Sequence, residues 1–178
     1  MTLTVETGAG SATADAFVSV TDCDTFCTNR GLTDWTGEAR SPADDDEAAI
    51  RRATAFISTA FSYKGSRMLG RSQALAFPRQ DCTDAEGEDI GADEVPVEIV
   101  QATCIVAAYE RANPGAMSPA VDMTARIEQE SVGPISVKYA YAQQTPEAAR
   151  PVLLQVLDLI GGLLSTSSNP LVGTSVRS

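Results

Sequence analysis

Lys64, Arg67, Arg71 and Arg79 fall inside one stretch, YKGSRMLGRSQALAFPRQD, together with Tyr63 and Phe77. Cations interleaved with aromatic rings are what a single nucleic-acid strand needs, the first for phosphates and the second for bases. With Arg51 and Arg52, the window from Ala48 to Gln80 holds six basic residues and no acid. The next window, Asp81 to Glu98, holds eight acids and no base. Three readings compete for the basic stretch: a strand-binding groove, ordinary solvated loop charges, and a polar surface that docks an acidic protein. Arg51 and Arg52 are neighbours and would point about 100° apart on a helix. The acidic run would raise a negative field beside any groove. Domains that bind nucleic acid on their own usually carry a basic balance, whereas this chain carries a formal charge of −11. The balance favours a docking surface.

Other reactive arrangements fare worse. The chain has no histidine, so neither a Ser-His-Asp nor a Cys-His arrangement can form, and no enzyme is expected. In DAEGEDIGADEV, Asp84, Glu86 and Glu88 sit at positions one, three and five of a calcium loop. Asp89 then occupies the glycine position and Val95 the bidentate acid position, which breaks the pattern. Cys23 and Cys27 share a helix face but lack two further ligands for zinc. With Cys82 and Cys104 they read as buried thiols packing as small hydrophobes. GAG at 8–10 is followed by no lysine at phosphate-loop spacing. No metal and no cofactor is expected.

The elements that would position these groups are mostly helical. Residues 1–18 read as an extended arm broken by Gly8, Gly10 and Ser11. Ser19 to Asp22 form a capping-box-like start, followed by a face of Val20, Cys23, Phe26 and Cys27 and a stop at Gly31. A second helix is capped by Ser41, carries Pro42 at its first position and runs through Ala49, Ile50, Ala53, Phe56, Ile57, Ala60 and Phe61. A long connection over about 62–95 without its own structure follows. A third helix starts at Pro96 and ends near Ala112, before Asn113-Pro114-Gly115. Alternation in Ile135, Val137, Tyr139 and Tyr141 predicts a strand, and Gly133-Pro134 places it in a β-hairpin over about 124–141. A last helix begins near Pro146 or at Pro151 and ends by Gly161-Gly162 or Leu164, leaving a polar tail over 165–178. The expected fold is mainly α: about four helices in a small bundle, an inserted hairpin, one long loop, and extended arms at both ends of a single 178-residue domain. No apolar run approaches the ~20 residues that span a bilayer. The start MTLTVETGAGS lacks the pattern of a secretory signal, so synthesis in a cytoplasm is expected.

The order of several segments resembles the tailed-phage head–tail connector, or adaptor, family, whose members are often labelled DnaT-like single-strand DNA-binding proteins. The matching pieces are LTVETGAG, DAFVSVTDCDTFCTNRG with Trp35 following, IRRATAFIS, YKGSRMLGRSQALAFPRQ, DEVPVEIVQATCIVAAY, SVGPISVKYA and the C-terminal apolar helix. Phe17 and Phe77 stand where the family pattern has Tyr and Trp. The resemblance implies a structural virion protein of the neck, a ring of twelve copies beneath the portal. It would join the portal to the next tail component and line a channel for double-stranded DNA that passes without specific binding. On that reading Lys64, Arg67, Arg71 and Arg79 would face acidic groups on a neighbouring subunit or the portal. Asp84, Glu86, Glu88 and Asp89 would supply such groups, and Leu171, Val172 and Val176 would insert into a portal groove. The alternative from another class is a single-stranded DNA-binding or primosome-like replication accessory protein.

Overall fold

The computed structural model describes residues 2–37, 46–119, 151 and 153–165, with the strand backbones 129–132 and 135–138. These form a mainly α fold, as the sequence predicts. Its helices are α1 (Val20–Asn29), α2 (Thr33–Thr36), α3 (Asp46–Thr59), α4 (Val97–Ala112) and α5 (Leu154–Ile160), the last running on into a 3-10 turn, Gly161–Leu163. Six short strands pair antiparallel in twos: β1 (Ser66–Arg67) with β2 (Arg79–Gln80), β3 (Cys82–Thr83) with β4 (Asp89–Ile90), and β5 (Gln129–Val132) with β6 (Ile135–Lys138).

The chain divides into two compact units. In the unit Gly115–Val152, β5 and β6 form the expected hairpin, paired from Gln129–Lys138 inward to Val132–Ile135. The expected flanks, including Tyr139 and Tyr141, lie outside the described residues, as do Ser41 and Pro42 ahead of α3.

The other unit, Met1–Pro114 with Leu153–Ser178, is built around α4. That helix packs against α1, α2, α3 and α5, which explains why Ala102 to Ala108 are all buried rather than one stripe. A helix apolar all round belongs in a core. Pro96 is its N-cap and Asn113 its C-cap. α1 begins where the sequence places it. The Ser19 hydroxyl oxygen accepts the Asp22 N–H at 3.1 Å, and the same hydroxyl donates to the Asp22 carboxylate at 2.6 Å. At the other end Gly31, with φ +63°, lets the Gly31 N–H reach the Thr28 carbonyl and the Leu32 N–H reach that of Cys27. That is a Schellman stop.

Two partly buried ionic contacts tie α3 to α4. The Arg52 guanidinium bonds the Glu110 carboxylate at 2.6 Å, and Arg111 bonds Asp46 at 2.7 Å; Glu110 is 1% exposed. Such pairs fix geometry more than they add net stability.

The N-terminal segment is extended but doubles back on itself. The Glu6 N–H bonds the Ala16 carbonyl, Asp15 bonds back to Thr4, and Ala14, Ala16, Phe17 and Val18 join the core. The buried Glu6 carboxylate accepts the N–H groups of Gly8, Gly10 and Ser11 at 2.8–3.0 Å. The GAG sequence therefore wraps a carboxylate of its own chain.

The 62–95 connection differs most from expectation. It holds β1 to β4, and it buries Tyr63, Gln73, Leu75, Ala76, Phe77 and Cys82. Its strands are two residues long, too short for any alternation to register, and its tight turns need positive φ at Gly65, Gly70, Asp81 and Gly87.

Candidate nucleic-acid interface

Of the aromatics offered for base stacking, neither is available. Phe77 is 0% exposed and Tyr63 is buried. They meet edge to face with ring centres 4.9 Å apart, and Phe61 and Phe56 extend the row from α3. The Tyr63 hydroxyl donates to the Ile57 carbonyl at 2.7 Å, and burial pushes its pKa well up. These rings are the hydrophobic seat of the 62–95 segment.

The basic residues separate by what they touch. Arg79 donates to four main-chain carbonyls: Lys64 and Gly65 at 2.7 Å, Ala76 at 3.2 Å and Tyr63 at 3.3 Å. Burial pulls its guanidinium below the usual range, but arginine stays charged. Lys64 donates to the carbonyls of Thr83 and Asp84 and to the Thr83 hydroxyl at 3.1–3.3 Å. Arg51 is held by Asp15 at 2.7 Å and Glu47 at 3.2 Å, and Arg52 by Glu110. Four of the six cations are therefore engaged as staples within their own chain.

Arg67 and Arg71 remain. Arg67 is half-buried and touches only the Gln73 carbonyl, at 3.5 Å; Arg71 is exposed on the turn after β1 and makes no contact with a described carboxylate. Beside them stand half-buried Met68 and Leu69, the latter 51% exposed. Sequence reasoning missed one further cation, Arg30. Its guanidinium lies 4.5 Å above the Phe26 ring and donates to the Gln101 side chain at 3.3 Å, with no described carboxylate on it. The one signal in the sequence was the Phe26–Arg30 spacing on α1.

In the acidic run, the Asp84 carboxylate accepts the N–H groups of Glu86 and Glu88 at 2.8 and 2.9 Å. The Glu88 bond is the main reason its pKa is lowered. Asp84 thus shapes its own turn, while Glu86, Glu88 and Asp89 are exposed. Among the described residues no cluster of His, Cys, Asp or Glu could hold a metal ion. Cys23, Cys27, Cys82 and Cys104 are buried and free. Hydrogen bonding with Cys104 and Cys27, then burial, pushes the Cys23 thiol far up, so it packs as an inert thiol. Leu171, Val172 and Val176 lie outside the described residues.

A concave feature lies next to the C-terminal end of α1. A cleft of about 270 Å³ opens between the α1–α2 turn, the end of α4 and the start of α5, walled by Leu32, Thr33, Asp34, Tyr109, Leu153 and Gln155. Buried Trp35 anchors α2 beneath it by donating its ring N–H to Asp24.

What the described residues define is a mainly α chain whose exposed, unneutralised cations sit in two places, without an assembled metal centre. The chain belongs to the family described as "Putative DnaT-like ssDNA binding protein", whose model matches residues 1–178. No curated protein and no solved structure matches it. The match overturns the connector expectation, because the family covering the whole chain is described by single-strand DNA, with nothing in it of a portal or tail. The ring of twelve, the portal and tail-completion partners and the duplex-lined lumen fall with it. The virion-neck location followed only from that reading. The structure supplies a physical reason as well: Lys64 and Arg79, two of the four cations assigned to a neighbouring subunit, are engaged within their own chain.

Proposed function

We propose that this protein binds single-stranded DNA and acts by binding alone, with no bond-making step of its own. The family match over the whole chain carries the reading. It is supported by the Arg67–Arg71 edge, where two guanidiniums without a described carboxylate partner flank the apolar side chains of Met68 and Leu69. Backbone phosphates would meet the arginines, and unstacked bases would lie against the apolar groups.

The charge of the chain sets the strength. With a formal charge of −11, long-range attraction for a polyanion is absent, and only close contacts favour binding. Two or three neutralised phosphates give a salt slope of about −0.7 each, so roughly −1.4 to −2 in all. Fluorescence anisotropy with a labelled oligonucleotide, from about 50 to 200 mM salt, tests this. Saturable binding with that shallow slope is expected. No binding at the lowest salt would defeat the reading, and a slope of about −4 or steeper would mean that the cations assigned to internal staples are engaged as well.

A further inference from the structure

We infer that the cleft between α2, α4 and α5 is a subsite for one nucleobase of the bound strand, selecting bases that carry an exocyclic amino group. The inference rests on the single-strand reading above.

Its size fits. About 270 Å³ has room for one pyrimidine or purine ring system and lies at the small end of ligand pockets, which run from ~300 to ~1,000 Å³. Its walls also fit. Leu32, Leu153 and the half-buried Tyr109 ring provide faces for a flat ring, with Ile105 and Ala108 as the floor. Thr33, Asp34 and Gln155 stand around it, and their side chains, like the Tyr109 hydroxyl, hydrogen-bond to no described residue. Asp34 and Tyr109 are half-buried and Thr33 and Gln155 exposed, and an apolar cleft edged by polar groups without internal partners suits a flat ligand with a polar edge.

The charges point to a nucleotide. Arg30 directly precedes Gly31 in the cleft wall, and it reaches Gln101, one turn before Ile105 and two before Tyr109. That separation is about 6–12 Å along α4 at 1.5 Å per residue, the reach from a base to its own phosphate. Asp34 supplies the selectivity. A carboxylate only accepts hydrogen bonds, so it pairs with the amino groups of cytosine, adenine or guanine. Thymine's single edge donor is flanked by two carbonyls that would face the same carboxylate.

The test is competition anisotropy with labelled dC12 and dT12 on the full chain, using wild type, Asp34→Asn and Gln155→Trp, with circular-dichroism melts as the folding control. Wild type is expected to bind dC12 about fivefold or more tighter than dT12, the factor for one discriminating hydrogen bond. Asp34→Asn should erase that ratio, because an amide offers thymine a donor. Gln155 is exposed, so a tryptophan there should plug the cleft and weaken dC12 about fivefold without altering the melt. Unchanged ratio and affinity in folded Asp34→Asn would overturn the subsite while single-strand binding stands. Failure of wild type to bind either oligonucleotide would remove both. Should Gln155→Trp fail to fold, the Asp34→Asn ratio decides.

Discussion

Arg79→Ala offers the sharpest test of how the basic stretch is used. If Arg79 met an external partner, truncation would leave the monomer's stability alone. In the structure it closes the β1–β2 excursion by donating to four carbonyls, two of them at 2.7 Å. Hydrogen bonds from a charged donor contribute about 1.5–3 kcal/mol each. Because Arg79 is only half-buried, water can replace part of that, and the low end applies. Two short bonds at ~1.5 kcal/mol and about 1 kcal/mol for the two longer ones give a loss of roughly 4 kcal/mol. A chain of this size loses about 2–4 °C of Tm per kcal/mol, so a thermal melt should fall by about 8–16 °C. Arg79→Lys keeps the charge but loses the planar fork and should recover at most about half. An alanine variant melting within about 2 °C of wild type would refute the assignment of Arg79 as an internal clamp.

Other outcomes follow from the same contacts. Gly8 has φ +100°, and a Cβ there would lie 1.8 Å from the Asp93 carbonyl oxygen, so Gly8→Ala should destabilise by about 3 kcal/mol or more; a near-neutral urea midpoint would contradict the close packing of this turn. Arg67→Ala with Arg71→Ala should weaken oligonucleotide binding and flatten the salt slope by about 1.4 while the melt stays within about 2 °C; unchanged affinity would remove this edge from the interface. Asp84 and Asp15 are both held below the ordinary 3.8. For Asp84 the Glu88 N–H is the main cause; for Asp15 burial pulls upward, but the Arg51 and Thr4 hydrogen bonds outweigh it. The unfolded chain takes up those protons first, so their contribution is full above about pH 5, begins to be lost near 3.8 and is gone only once pH has fallen through the lowered folded values. Asp84→Asn should therefore lose less Tm than wild type between pH 5 and pH 3, and parallel declines would refute the link.

The helices were readable because their signals are local. Ser19, Gly31, Pro96 and the apolar spacing of α3 each act within a turn or two of chain. The hairpin β5–β6 was readable for the same reason, with Gly133-Pro134 between two alternating runs. The 62–95 segment was not, since its order comes from Phe77, Tyr63 and Gln73 reaching the core across distances no periodicity reports. The site was half legible. Basic residues stood out by composition, but the acids that engage them are remote in sequence, Asp15 from Arg51 and Glu110 from Arg52, and Arg79 is claimed by carbonyls that no sequence pattern displays. Glu6 looked like an arm residue because a carboxylate followed by glycines has no surface signature until the chain folds around it. The cleft was invisible, being assembled from three helices whose lining residues are each unremarkable alone.

The crossed ionic contacts between α3 and α4 carry a consequence for how this core can change over time. Slippage of α3 by one turn would set Ala48 or Phe56 against the Glu110 carboxylate and strand Arg52, so misaligned packings are penalised even where their apolar faces would match. Arg52–Glu110 and Asp46–Arg111 thus act as two teeth of a key. Descendants can exchange both members of a tooth together, but losing one member alone leaves a lock that accepts the wrong turn.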